Sequence, residues 1–429
     1  AKADETEVLL VSRRTEYVRF ADGLPTQDGS VEAIDVAIRV RTEGREGKAS
    51  AGATEEGAVR EAAHRALASA RARPPDPDLL PLPGAAAYVP KNDFAEDTAA
   101  HSFPAKAAAI ATATEVARER NLRASGRFLT EATSSTIVNS RGCAAHHAST
   151  RASFAVTTIS EDSEGWCEET HHDVARLDPR SIAARAAEKG ALGRVPRDFP
   201  PRRIRVVLEP PAVANLLFFA ATQAFGARAV EEGASFLVGR FGERVLDPRI
   251  SIEDDVFHPL HMGAPFDGEG TPARRVTLVE RGVARGVVHD RASAARLGTT
   301  STGHSLPQPN EAGPLPSHLV LGSGDKTVEE MVRASKEAVL VSRIHYANLI
   351  DPRTLTVTGM TRSGTFCVRD GALAYPIRNL RFTESLVQAL DRVVSIGGRR
   401  ELAQAFFGGD FVVPALAVED FAFTSSTTF

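Results

Sequence analysis

The sequence predicts an α+β fold: antiparallel strands covered by helices up to about residue 198, then a strand-rich half with a curled sheet or partial barrel around one buried helix. Three observations carry this. Val36, Ile38 and Val40 alternate with Ala37, Arg39 and Arg41, as a half-buried antiparallel strand requires. Proline clusters at 73–92 and 196–201 divide the chain where no regular element can run. Residues 212–225 form a helical stretch that is apolar almost all round, which belongs inside a protein.

In chain order, residues 7–12, 16–20, 31–41 and 47–52 read as strands, separated by turn chemistry at Asp22-Gly23, Asp28-Gly29 and Glu43-Gly44. A helix capped at Thr54-Glu55-Glu56 follows, with Val59, Ala62, Ala66 and Ala70 on one face. Residues 1–73 thus make a first α+β subdomain. The six prolines of 73–92 make a linker or surface loop. A second α+β subdomain, 93–198, has helices from Ser102 to Glu119 and from Asp178 to Ala191, with strands at 124–134, 135–139, 144–158 and 165–173.

The third domain, 202–429, opens with a strand at 203–209 that Pro210 and Pro211 stop; proline suits the first turn of the helix that follows. Short strands are expected at 245–252, 273–280, 286–290, 319–321, 339–344, 354–362, 365–369 and 372–376, with a helix at 327–336. The Gly/Pro/Ser-rich loops 263–270 and 298–316 are long enough to be functional or mobile.

A length of 429 residues suits two or three domains at roughly 150 residues each. The net charge of −4 gives no nucleic-acid footprint, and the Arg-rich pieces (Arg118, Arg120, Arg123, Arg127; Arg202, Arg203, Arg205) read as solvated surface. The apolar helix is too short for a bilayer, which needs about 20 residues, so no membrane role is expected. Cys143, Cys167 and Cys367 are too few and too widely spaced for a disulfide framework or a CxxC zinc site. With no apolar leader at the N-terminus, which begins at Ala and can lack a few native residues, the expected location is cytoplasmic.

Chemistry-bearing motifs are sparse. His258 and His261 stand three apart, but Pro259 argues against the helix that would align them, so they read as loop or surface histidines. His146-His147 and His171-His172 lie in strand contexts, where neighbours face opposite ways. Cys143 with His146 reads as a small buried thiol rather than a nucleophile pair. The chain contains no GxSxG elbow, P-loop or HExxH. His345, Tyr346 and Asn348, at a strand end with Arg362 on the next strand, either line a substrate cleft or form a hydrogen-bonded corner.

Four segments carry a resemblance: FGERVLDPRISIEDD (241–255), FDGEGTPARRVTLVERGVARGVVHDRASAARLG (266–298), RIHYANLIDPRTLTVTGMTRSGTFCVRDGALAYPIRNLRFTESLVQAL (343–390) and PALAVEDFAFTSST (414–427). They resemble the TldD/PmbA family, in its TldE (PmbA) branch, and the strand 36–52 with the helix after it extends the likeness over essentially the whole chain. In the TldD branch the buried helix carries His-Glu-x-x-x-His, two metal ligands and a general base, with a cysteine near the C-terminus completing the site. Laid on this chain, the motif falls on Thr222 to Ala227, with Thr222, Gln223 and Ala227 at the three functional positions. Gln cannot act as a base near neutrality, Ala has no lone pair, and Thr is a poor zinc ligand. Ligands five apart lie ~500° around a helix, so the site needs local unwinding, which Gly226 would permit.

The resemblance implies a subunit without catalytic residues or metal of its own. Its expected partner is a TldD-like metallopeptidase subunit in a heterodimer that hydrolyses small peptides or amides, as in precursor or natural-product processing, with zinc and general base in that partner. A homodimer is the alternative when the partner is absent. The resemblance also implies a link to modulation of DNA gyrase, which the acidic charge does not support as direct DNA binding. Two other readings stay open: an independent hydrolase or amidase using His345, Tyr346 and Arg362, or a homodimeric peptide-binding protein without catalysis.

Overall fold

The computed structural model describes residues 3–427. The first sheet contains β1 (Glu5–Ala21), β2 (Leu24–Thr42), β3 (Arg45–Ala51), β4 (Arg123–Asn139), β5 (Ala144–Ile159) and β6 (Glu164–His171), ordered β3-β2-β1-β4-β5-β6. Strands from 1–73 and from 93–198, read above as separate subdomains, therefore lie in one antiparallel sheet. β1 pairs with β4 from Glu7↔Asn139 to Phe20↔Gly126.

Two of the three expected turns are turns. Asp22-Gly23 and Glu43-Gly44 all have positive φ, the two-residue hairpin geometry that matches strand twist. Asp28-Gly29 is not a turn. β2 runs straight through it, with Gly29 opposite Tyr17. A Cβ on Gly29 would stand 3.0 Å from the Tyr17 ring, so this glycine makes room for a cross-strand aromatic. Likewise 7–12 and 16–20 are one strand, as are 124–134 and 135–139.

Helices cover one face of this sheet. α1 (Glu56–Arg71) buries Ala62, Ala66 and Ala70; its N-cap Glu55 makes no side-chain hydrogen bond, contrary to the expected capping. α2 (Glu96–Ala99) is a single turn. α3 (Phe103–Arg118) starts where Ser102 Oγ accepts from Ala105 N, and α4 (Pro179–Leu192) where Asp178 accepts from Arg180 N. Their faces meet Phe128, Phe154 and Val156 in one core.

The second half forms an eleven-stranded mixed sheet. Its strands are β7 (Arg203–Leu208), β8 (Ile252–Asp254), β9 (Val276–Glu280), β10 (Val283–Ala284), β11 (Leu319–Leu321), β12 (Glu337–Asp351), β13 (Thr356–Arg369), β14 (Ala372–Pro376), β15 (Leu380–Ser385), β16 (Val393–Gln404) and β17 (Asp410–Ser426). β7 pairs parallel with β12 and antiparallel with β17. The path β17-β15-β13-β12-β7 thus closes on itself, as the expected partial barrel does. Val206 and Leu208 face the large core with helix α5 (Pro210–Gln223), while Val207 faces a smaller core under the helix Val328–Arg333.

Several C-terminal expectations shift. Residues 245–251 are turn and irregular chain with only Ile252 in a strand, 354–362 and 365–369 are one strand, and 286–290 contributes only the Val288 bridge to Gly226. The helix expected over 327–336 is shorter, Val328–Arg333, closed by a Thr327/Glu330 capping box. β15 and β17, which lie on the closing path, and β16, which pairs with β17, have no counterpart among the expected strands.

Candidate functional site

The helix α5 is as apolar as its sequence, with Ala212, Val213, Leu216, Leu217, Phe219, Ala220 and Ala221 all buried. Pro210 and Pro211 occupy its first turn, where the missing N–H groups cost nothing. Asn215 is its one buried polar residue. It donates to Pro211 O at 2.8 Å and accepts from Phe406 N at 2.9 Å, which fixes the β16–β17 turn against the helix. Phe218 and Phe219 then pack on Phe407.

The helix ends at Gln223, and α6 (Ala227–Glu231) starts four residues later. Thr222 Oγ1 donates to Phe218 O at 3.0 Å, so its hydroxyl is engaged by the helix backbone. Ala227 is fully buried, its N–H on Val288 O at 3.0 Å, while Val288 N–H returns to Phe225 O at 2.9 Å. The expected break before Ala227 is present, but Gly226 serves it differently. Its φ is −88°, open to any residue, and its need is for space: a Cβ there would stand 2.3 Å from Pro314 O. The loop 298–316 closes over the helix end at that point.

These side chains do not make a zinc site. A hydroxyl spent on its own helix, a carboxamide and a methyl group supply neither two ligands nor a base. Cys143, Cys167 and Cys367 are all buried. Among the described residues, no three His, Cys, Asp or Glu side chains are grouped to hold a metal ion.

A cleft of about 740 Å³ lies beside β12 and β13, and it brings together His345, Tyr346 and Arg362. A register shift between His345 and Asn348 bulges β12; Tyr346 adopts φ 49° and projects its ring outward. The His345 ring sits between Tyr346 at 4.1 Å and Phe406 at 4.4 Å. Burial, then the charges of Arg362 and Arg343, lower its pKa, so the imidazole is neutral near pH 7. Its Nδ1 is buried without a hydrogen-bond partner among the described residues. Arg362 Nε and Ser363 Oγ both donate to Glu164 Oε1, at 3.2 and 2.8 Å. Asn348 does not join the cleft: it is exposed, with its amide on Tyr346 O at 3.3 Å.

Sequence reasoning missed Glu164, Arg378 and Asn379, which also line this cleft. They come from β6 and the β14–β15 connection, and no local pattern ties them to His345. Chemically the cleft offers a neutral imidazole and a neutralised guanidinium. No hydroxyl or thiol is hydrogen-bonded to His345 among the described residues, so this cleft holds no activated nucleophile.

The other histidines singled out from the sequence make local contacts away from this cleft. His146 bonds Thr136 on one face of β5, and His147 Nε2 lies 2.7 Å from Asp93 Oδ1 on the other. His171 and His172, expected on opposite faces, have rings 4.4 Å apart because the strand ends there. His258 and His261 are in a loop, but His261 is buried rather than superficial. Its Nε2 bonds Leu319 O, and burial pushes its pKa to about 3. Cys143 contacts Tyr88 and Gly270 O, not His146.

A six-stranded antiparallel sheet backed by helices, joined to a closed strand-rich domain packed on one apolar helix, defines a two-part α+β architecture. Residues 201–425 match the PmbA/TldA metallopeptidase C-terminal domain and residues 93–192 the PmbA/TldA metallopeptidase central domain. The chain belongs to the PmbA/TldD family. It is similar to a metalloprotease of Methanothermobacter thermautotrophicus, 24% identical over 289 residues, covering 64% of this chain and 62% of that protein. It is also similar to the metalloprotease PmbA of Escherichia coli O157:H7, 23% identical, covering 65% and 61%. Neither match reaches two thirds of the relative's length. The crystal structure of TldE from Thermococcus kodakarensis has the same fold, with a TM-score of 0.90 at 20% identity over 98% of this chain and 97% of that one. Among the described residues, no helix is long and apolar enough to cross a membrane.

Proposed function

We propose that this chain is the TldE-like subunit of a two-chain metallopeptidase for small peptides or amides, and that it supplies no metal ligand or general base. One observation carries the reading: Thr222 and Gln223 at the end of α5 and Ala227 at the start of α6 bear side chains that offer no good zinc ligand and no base. A TldD-like partner would bring the His-Glu-x-x-x-His helix, whose zinc and glutamate activate water. The chain's contribution is a preformed surface around α5 and the β16–β17 turn, together with the cleft at His345, which suits extended peptide better than a reacting centre.

The test is co-expression with a TldD-like protein in cytoplasmic extract. The two chains should co-purify, cleave peptides from a panel, lose activity to a chelator, and hold zinc only in the partner. Stoichiometric zinc and peptide cleavage by the isolated chain, abolished by His345→Ala, would instead establish an independent hydrolase. Peptide binding by a homodimer without turnover, in the partner's presence, would also overturn the proposal.

A further inference from the structure

A second cavity, of about 400 Å³, lies between the first sheet and the C-terminal domain. Its walls include Arg19, Arg127, Trp166, Glu168, Arg343 and Phe406. Arg343, on β12, lays its guanidinium over the Trp166 ring of β6, 4.4 Å from the centroid. A guanidinium placed over an aromatic face spends none of its N–H donors on it, and they remain for a planar acceptor. Among the described residues, neither Arg343 nor Arg19 has a side-chain hydrogen bond or ion pair. Burial disfavours the Arg343 cation; Glu168 and Glu164 offset this in part, while the nearby Arg362 and Arg127 oppose the cation further.

The lining carries three arginines and one carboxylate. That carboxylate, Glu168, is already taken: its Oε1 accepts from Arg127 at 3.2 Å and from Ser153 Oγ at 2.6 Å. The cavity therefore holds two positive charges in excess (three minus one) and a half-buried guanidinium whose five donors lack a partner. Arg127, read from sequence as solvated surface, is part of this wall and also bonds Gln404.

The rest of the lining says which anion. The nearby end of α5 offers little to a phosphate: Pro210 and Pro211 have no N–H, and Phe406 N is spent on Asn215. Recognition falls to guanidinium groups beside apolar walls of Trp166, Phe406 and Ala405. A carboxylate borne on an apolar group satisfies both, since Arg pairs with it through two parallel hydrogen bonds. We propose that this cavity binds the C-terminal carboxylate of a peptide, with Arg343 as the bidentate partner, Arg19 and Arg127 adding charge, and the terminal side chain against Phe406.

Trp166 is the only tryptophan in the chain, so its fluorescence reports the site directly. The isolated full chain is titrated with acetyl-alanyl-phenylalanine, with the corresponding C-terminal amide, and with inorganic phosphate. Saturable change is expected with the free acid, with the amide weaker by about tenfold or more. Arg343→Gln should lose at least as much. Arg19→Gln, which leaves the Arg343–Trp166 stack in place, should weaken binding several-fold with an unchanged melting curve. Absence of saturable binding, equal affinity for acid and amide, displacement by phosphate at equal concentration, or a folded Arg343→Gln chain that binds like wild type would each overturn the assignment. No partner chain is needed, so the result is independent of the partnership proposed above.

Discussion

The carbonyl oxygen of Pro314 occupies the place a Cβ on Gly226 would need, 2.3 Å away. The contact clamps the loop 298–316 over the end of α5, and it is backbone, so it cannot swing aside as a side chain would. Gly226→Ala should therefore destabilise the chain by about 1–3 kcal/mol in urea unfolding, through overpacking rather than φ strain. An alanine variant that unfolds with wild type would show the loop is free to retreat.

Restoring the motif tests whether the helix end is merely missing its ligands. Thr222→His, Gln223→Glu and Ala227→His together place donors at the three positions. Ala227 is fully buried, and no buried cysteine lies in a group that could complete a site. The triple variant should fold less stably and retain substoichiometric zinc after dialysis. One tightly held zinc per chain, measured by atomic absorption, would refute this.

Arg39 on β2 is buried among Glu7 at 2.8 Å, Glu46 at 3.5 Å and Glu269 at 3.9 Å, the last from the C-terminal half. Removing the cation leaves buried carboxylates without their counter-charge. Arg39→Met should cost about 3–5 kcal/mol. A loss below about 1 kcal/mol, the value of a surface pair, would mean that Arg291, 3.7 Å from Glu269, takes over.

Asp93 sets an acid limit. Burial raises its pKa, but His147, Lys91 and the Gly263 N–H outweigh that and bring it to about 2. The unfolded value is about 3.9. A lowered folded pKa gives stability that is present above pH ~4 and lost as pH falls toward ~2. Asp93→Asn should be less stable than wild type at pH 7, and the two unfolding curves should converge near pH 2. Parallel curves across that window would exclude the linkage.

Much of the fold is legible locally. Strand alternation at 36–41, hairpin glycines at 23 and 44, caps at Ser102 and Asp178, and the apolar run of α5 all act over a few residues. The errors share one cause. Gly29 looks like a turn until Tyr17 is placed opposite it, and Gly226 looks like a hinge until Pro314 approaches; both meanings lie in a distant partner. The cleft was half legible for the same reason. His345, Tyr346 and Arg362 sit on adjacent strands, whereas Glu164 comes from the other sheet.

The sequence by itself determined the α+β class, the buried helix and the side chains at 222, 223 and 227, because periodicity and functional-group chemistry are properties of the residues. Only the tertiary structure decided that two N-terminal segments share one sheet, that β7 closes the C-terminal strands, and that Arg343 stacks on Trp166 without an acidic partner. Those depend on contacts between residues far apart in the chain, where packing and desolvation override any local preference.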